Sequence, residues 1–210
     1  MNQLEKTLAT NLGNELTNVS SNLLEVGVDS LLEGGVLKDI PIIGSVVGLF
    51  KSGISIKERF YVKKLLKFLV EFKNIDEEAR AKFVSEELSN DSKREKFGET
   101  ILNLIDKTDD ISKFKLYART FELHFLDRCS YDEAIRICLM IERAFYRDLN
   151  FILDFSDGCA SDQLTAGELY KVGFLSFGGM DGGDLGEEDS GGVIYKKNKY
   201  GKILMEIINH

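Results

Sequence analysis

A single proline in 210 residues leaves the chain almost free of the residue that most reliably stops a helix. Pro41 sits in the densest apolar and basic stretch of the sequence, VLKDIPIIGSVVGLFKSGISIKERFYVKKLLKFLVEF, Val36–Phe72. A proline there suits a first helical turn, with Asp39 just ahead of it. Ile43, Val46, Val47, Phe50 and Ile54 fall on one helical face, while Gly44, Gly48 and Ser52 recur four apart on another. Small residues at that spacing let helices approach closely. From about Ser55 a second helix repeats apolar residues through Phe60, Leu65, Leu66, Phe68, Leu69 and Phe72. The apolar run Ile40–Phe50 is about half of what a membrane-spanning helix needs.

The charge pattern sharpens this reading. Between residues 36 and 73, eight Lys and Arg stand against three acids, whereas residues 1–35 hold one Lys against five acids. Residues 1–35 repeat Leu4, Leu8, Leu12, Leu16, Val19 and Leu23 at helical spacing and reach a break at Gly34-Gly35. An acidic amphipathic helix beside a basic one allows two readings. The second stretch is the packed centre of a helical domain, or its lysines line a membrane interface or an acidic partner. The interaction surface expected on this ground comprises Lys51, Lys57, Arg59, Lys63, Lys64 and Lys67.

Downstream periodicity continues the helical pattern. Residues 76–90 open with acids, as a helix N-terminus favours. Phe97, Ile101, Leu102, Leu104 and Ile105 make the next stripe, and Phe114, Tyr117, Phe121, His124, Phe125 and Leu126 the one after. Ser130 and Glu133 match a capping box and start a helix whose apolar side runs Ile135, Leu139, Ile141, Phe145, Leu149. Five to seven helices with short connections give a low-contact-order bundle over residues 1–158.

Residues 159–210 differ. Asp162–Val172 predicts a short helix with Leu164, Leu169 and Tyr170 inward, Phe174–Phe177 a strand, and Val193–Tyr195 a second strand. KILMEII makes a closing helix. Between the strands, residues 178–192 hold seven glycines and five acids without a single Lys or Arg. The order DGGDLGEEDSGG fits neither an EF-hand nor a phosphate-cradling loop, so a solvated wing tip is expected. The fold class is therefore mainly α, a helical bundle followed by a small winged-helix-like α+β unit.

Chemistry-bearing groups are sparse. Cys129, Cys138 and Cys159 form no CxxC, which points to free thiols in a reducing compartment, with Cys138 in a core stripe. The two histidines, His124 and His210, have no ligand-spaced partners, so no metal or other cofactor is expected. His124 and Cys129 are five apart and do not by themselves build a triad. Asp109, Asp110 and Asp132 are the carboxylates that folding could gather for acid–base work. The expectation is a non-enzymatic protein. A net charge of −8 argues against broad nucleic-acid binding. The N-terminus lacks a signal-peptide pattern, so a cytoplasmic protein is expected, with the inner-membrane surface as the alternative location.

Two resemblances extend these readings. KDIPIIGSVVGLFKSGISIKERFYVKKLLKFL, GETILNLIDKTDDISKFKLYARTFE and SYDEAIRICLMIERAFYRDL resemble, in order and texture, a set of uncharacterised bacterial helical proteins over about residues 36–155. That resemblance implies no catalytic residues. LTAGELYKVGFLSF and GGVIYKKNKYGKILMEII are similar to the final part of winged-helix domains over about residues 162–208. There Leu169, Gly173, Phe174, Tyr195, Asn198 and Gly201 stand in the family's places, and Tyr195, Lys196, Lys197 and Lys199 form the candidate wing. The acidic tip and a recognition helix with Lys171 as its one base depart from DNA-binding wings, whose affinity comes from phosphate contacts. The implied role is regulation by protein contact or self-association. A peripheral effector acting on an anionic membrane, as in growth arrest during phage defence, is the second reading. A winged-helix transcription regulator is the third.

Overall fold

The structure is a computed structural model that describes residues 56–183 and 191–209; of the side chains in that range, those of residues 56–59, 73 and 159 are outside the description. The readings made for residues 1–55, including Lys51 and the small-residue spacing from Gly44 to Ser52, lie outside the described residues, as does the wing tip at 184–190. The chain is mainly helical and carries a small antiparallel sheet near its C-terminus. It divides into two compact units, Met1–Asp106 and Lys107–His210.

In the first unit, α1 (Ile56–Lys73), α2 (Glu77–Glu87) and α3 (Asp91–Lys107) follow one another. Asp76 caps α2 by accepting from the Ala79 N–H at 3.0 Å, and Asn90 does the same for Lys93 at the start of α3. Val62, Leu65, Leu66, Phe68, Leu69 and Phe72 of α1 are buried, as are Ile101, Leu104 and Ile105 of α3. Phe83 and Phe97 meet edge to face, with centroids 5.2 Å apart.

The second unit begins with α4 (Lys113–Phe125) and α5 (Tyr131–Arg143), which pack together. Phe114, Tyr117, Phe121 and Phe125 are interior as their spacing predicts, whereas Leu126 is exposed. The Ser130–Glu133 capping box is formed in both directions. Helix α5 ends sooner than the sequence suggests. Ala144 turns extended, and a 3-10 turn (Tyr146–Asn150) and the short α6 (Phe151–Asp154) continue instead. The buried side of α5 is Ala134, Ile137, Cys138, Met140 and Ile141, while Phe145 faces outward. The Lys113 side chain is fully buried.

The strands then form. β1 (Gly158–Cys159), β2 (Leu175–Asp181) and β3 (Gly192–Lys197) make an antiparallel sheet in the order β1-β3-β2. Helix α7 (Gln163–Val172) lies between β1 and β2, and α8 (Lys199–Asn209) closes the unit. The composition change at 158/159 therefore falls inside this unit, at β1. Strand β2 is longer than Phe174–Phe177, since glycines read as loop are in ladder pairing. Leu169 is buried on α7, but Leu164 and Tyr170 are exposed, contrary to the inward placement predicted for them.

Candidate functional site

The motif shared with winged-helix tails is the natural place to look for a site. Gly173 ends α7 at φ 101°, a left-handed conformation that glycine adopts without strain. Phe174 N–H returns to the Leu169 carbonyl at 2.9 Å, closing a Schellman-type turn. The Asn198 amide donates to the Gly173 carbonyl at 2.8 Å. Its Oδ1 accepts from the Tyr200 and Gly201 N–H groups at 2.9 and 3.1 Å. One side chain thus caps α8 and ties it to the end of α7. Gly201 is buried with the Phe174 carbonyl directly against its Cα, since an added Cβ would lie 2.3 Å from that oxygen. Leu169 and Phe174 are core. These motif residues build the unit.

Tyr195, expected as a wing residue, is also buried. It lies opposite Phe177 in the β2–β3 ladder, its ring is 5.6 Å from Tyr170, and its hydroxyl faces Gly167 of α7. Its burial has a simple cause: α7 covers this side of β3. Lys197 is engaged too. Its ammonium donates to the Phe155 carbonyl and lies over the Phe155 ring, and its N–H bonds Asp157. Lys199 pairs with Glu133 of the capping box. The hydrogen bond from Lys199, then those from Ser130, hold the Glu133 carboxyl down to about 2. Lys196 is exposed, as Lys199 is, and unlike Lys199 it makes no ion pair among the described residues.

An apolar patch lies open on the α7 side of the sheet. A register shift between Phe177 and Gly179 inserts one extra residue in β2. In a regular strand, residues three apart face opposite sides. The bulge resets this, so Phe177 pairs with Tyr195 and Met180 with Val193, both on the α7 side of the sheet. Phe177 is 57% exposed and Met180 76%, and exposed Tyr170 continues the patch on α7. On the opposite side, Gly178 leaves room for the Lys196 stem; a Cβ there would lie 3.2 Å from Lys196 Cε. Strand β2 is an edge of the sheet.

The basic residues of α1 divide. Lys57 and Arg59 stand on the helix, but their side chains are outside the description. Lys64 donates to the Asp106 carbonyl at 2.9 Å, Lys67 pairs with Glu71 at 2.5 Å, and Lys63 is half-buried. The apolar face between them is interior.

The suspected chemistry does not assemble among the described residues. His124 Nδ1 bonds the Cys129 carbonyl at 2.9 Å, and burial raises the Cys129 thiol to about 11. Asp109 and Asp110 line a cleft of about 300 Å³ with Ile111, Phe145 and Tyr146, and Asp132 is not part of it. There Lys113 holds Asp109 at 2.6 Å and keeps its carboxyl below the usual range, chiefly through that hydrogen bond. No group of three His, Cys, Asp or Glu is placed to hold a metal, and no helix is long and apolar enough to cross a membrane, among the described residues. Compared with protein-family models, with curated proteins and with solved structures, the chain matches none.

Proposed function

We propose that the protein acts without catalysis, as a regulatory protein that works through protein contact, with the winged-helix-like C-terminal unit as its contact module. The observation that carries this reading is the exposed aromatic and apolar patch of Tyr170, Phe177 and Met180 at a sheet edge. Contiguous apolar surface of this kind marks interaction sites in soluble proteins, and Tyr, Phe and Met are the types enriched at interface centres. Lys113, Lys197, Lys199 and Asp109, by contrast, are bonded internally, which leaves them poorly suited to bind or turn over a substrate. A benzophenone photocrosslinker placed at Met180, with Lys202 as an exposed control position, tests the reading in extracts of the source cells. Discrete protein adducts from position 180, absent from position 202, are expected. No adduct at position 180 above the control would remove this reading.

A further inference from the structure

We propose that the occupant of the β2 edge is a second copy of this chain, joined by antiparallel β2–β2 pairing about a two-fold axis between Gly178 and Gly179. The inference rests on the protein-contact reading and names its partner. An edge strand presents unpaired backbone groups to any strand that fits it. A two-fold contact requires that the same surface be its own complement, and β2 meets that requirement on both of its faces. With the axis between residues 178 and 179, Phe177 of one copy stands opposite Met180 of the other, twice over. These are the two large apolar side chains that β2 leaves exposed, and the bulge has brought them to one face.

The other face supplies charge complementarity. The same register sets Asp181 of one copy opposite Ser176 of the other. Ser176 pairs with Lys196 in the ladder, so its short side chain separates Asp181 of one copy from Lys196 of the other on that face. The Lys196 stem already lies against Gly178 of β2, its Cε 3.2 Å from where a Cβ there would stand, on the strand that the second copy's carboxylate would approach. Neither Asp181 nor Lys196 has an ion-pair partner among the described residues. Gly178 and Gly179 place no side chain between the two copies. An acidic chain of net charge −8 repels its copies at long range, but at about 0.15 M salt the screening length of about 8 Å leaves the local pairs to decide.

Sedimentation velocity on the full chain at about 0.15 M salt, over a rising concentration series, reads the proposal. A monomer–dimer equilibrium is expected. Met180→Lys and Phe177→Lys should each weaken it about tenfold or more, as loss of an interface anchor does. Asp181→Lys should weaken it and Asp181→Lys with Lys196→Asp should restore it, which a merely destabilised fold would not do. Register is read in a Cys159→Ser background. Mild oxidation should cross-link a mixture of Phe177→Cys and Met180→Cys chains faster than either variant alone. Circular dichroism confirms that each variant is folded. A chain that stays monomeric throughout overturns the proposal, as does a dimer indifferent to all these substitutions. If the chain is monomeric while position 180 still photocrosslinks another protein, the second-copy inference falls and the protein-contact reading stands. If position 180 captures nothing as well, both fall.

Discussion

Gly201→Ala is the substitution for which local propensity and packing disagree most sharply. Position 201 lies in the first turn of α8, and replacing a helical glycine by alanine ordinarily stabilises by about 1 kcal/mol. Here the new Cβ would meet the Phe174 carbonyl oxygen at 2.3 Å, a contact that must open to at least 3.0 Å. The obstacle is backbone, so it has no rotamer by which to withdraw. Nor is α8 free to slide. Asn198 fixes its start, and Lys199–Glu133, Arg128–Glu206 and the Arg119 guanidinium on the Ile207 carbonyl hold it along its length. Overpacking of this kind costs about 1–3 kcal/mol, and the rigid surroundings place it toward the upper end. After the helical gain is subtracted, a net loss of about 2 kcal/mol is expected. Gly167→Ala is the control. Its Cβ would stand 3.6 Å from the Tyr195 hydroxyl, ordinary contact, so propensity should prevail and stability should hold or rise by up to about 1 kcal/mol. Urea unfolding followed by far-ultraviolet circular dichroism measures both. A Gly201→Ala protein as stable as the wild type, or more so, would refute the close packing of α8 on Phe174.

Three further outcomes are expected. Lys113 is fully buried, with its ammonium on Asp109 and the Glu142 carbonyl; Lys113→Ala should cost about 2–4 kcal/mol through the lost stem, while Lys113→Met, which keeps the volume, should cost less than about 1.5 kcal/mol in the same urea assay. Glu133 has a folded pKa lowered from 4.5 to about 2, so its links to Ser130 and Lys199 contribute fully above pH 4.5 and are lost as pH falls toward 2. Stability of the wild type should fall across that window more than that of Glu133→Gln, measured by thermal unfolding at each pH. In a Cys159→Ser background, Cys129 and Cys138 should react with iodoacetamide slowly when folded at pH 8 and quickly in urea, because burial raises both thiols; rapid labelling of the folded chain would contradict their burial.

Much of the helical framework was legible because it rests on local chemistry. The stripe Ile101, Leu104, Ile105, the stripe Phe114, Tyr117, Phe121, Phe125, and the Ser130–Glu133 box all follow from spacings of three and four. The misreadings have a different origin. Phe145 continues the α5 period but is exposed, because the chain turns extended at Ala144, and nothing in the apolar pattern marks that turn. Hydrophobicity alone places Leu164 inward, yet Ala166 and Leu169 take the buried face of α7. For the candidate site, the obscuring factor is sequence distance. Lys64 finds its acceptor 42 residues away, and Lys197 bonds a carbonyl 42 residues away. As sequence alone, both are simply lysines beside other lysines. The Tyr195, Asn198 and Gly201 motif was visible, but its role as the joint between α7, β3 and α8 appears only once Gly173 and Phe174 are brought beside it.

The same distinction explains why the sequence pattern ends the strand at Phe177 and leaves Met180 in the loop. Glycines lower strand propensity, so a run with Gly178 and Gly179 predicts a turn. The ladder tolerates them because β2 is an edge, paired with β3 alone among the described strands. There the glycines do what other residues would do poorly. Gly179 sits at φ 136°, and Gly178 fits against Ile194 and Lys196 where any Cβ would crowd them. Together they add the residue that turns Met180 onto the face of Phe177. The number of residues between two apolar side chains is therefore a poor guide to whether they share a face wherever a Gly-Gly step lies between them. Deleting Gly178 tests this directly. The shortened strand should lose the bulge and keep Met180 opposite Val193, now two residues from Phe177 and on the same face. Photocrosslinking from position 180 should then stay above the Lys202 control, and its loss in a chain that circular dichroism shows to be folded would refute the bulge as the reason the two side chains share a face.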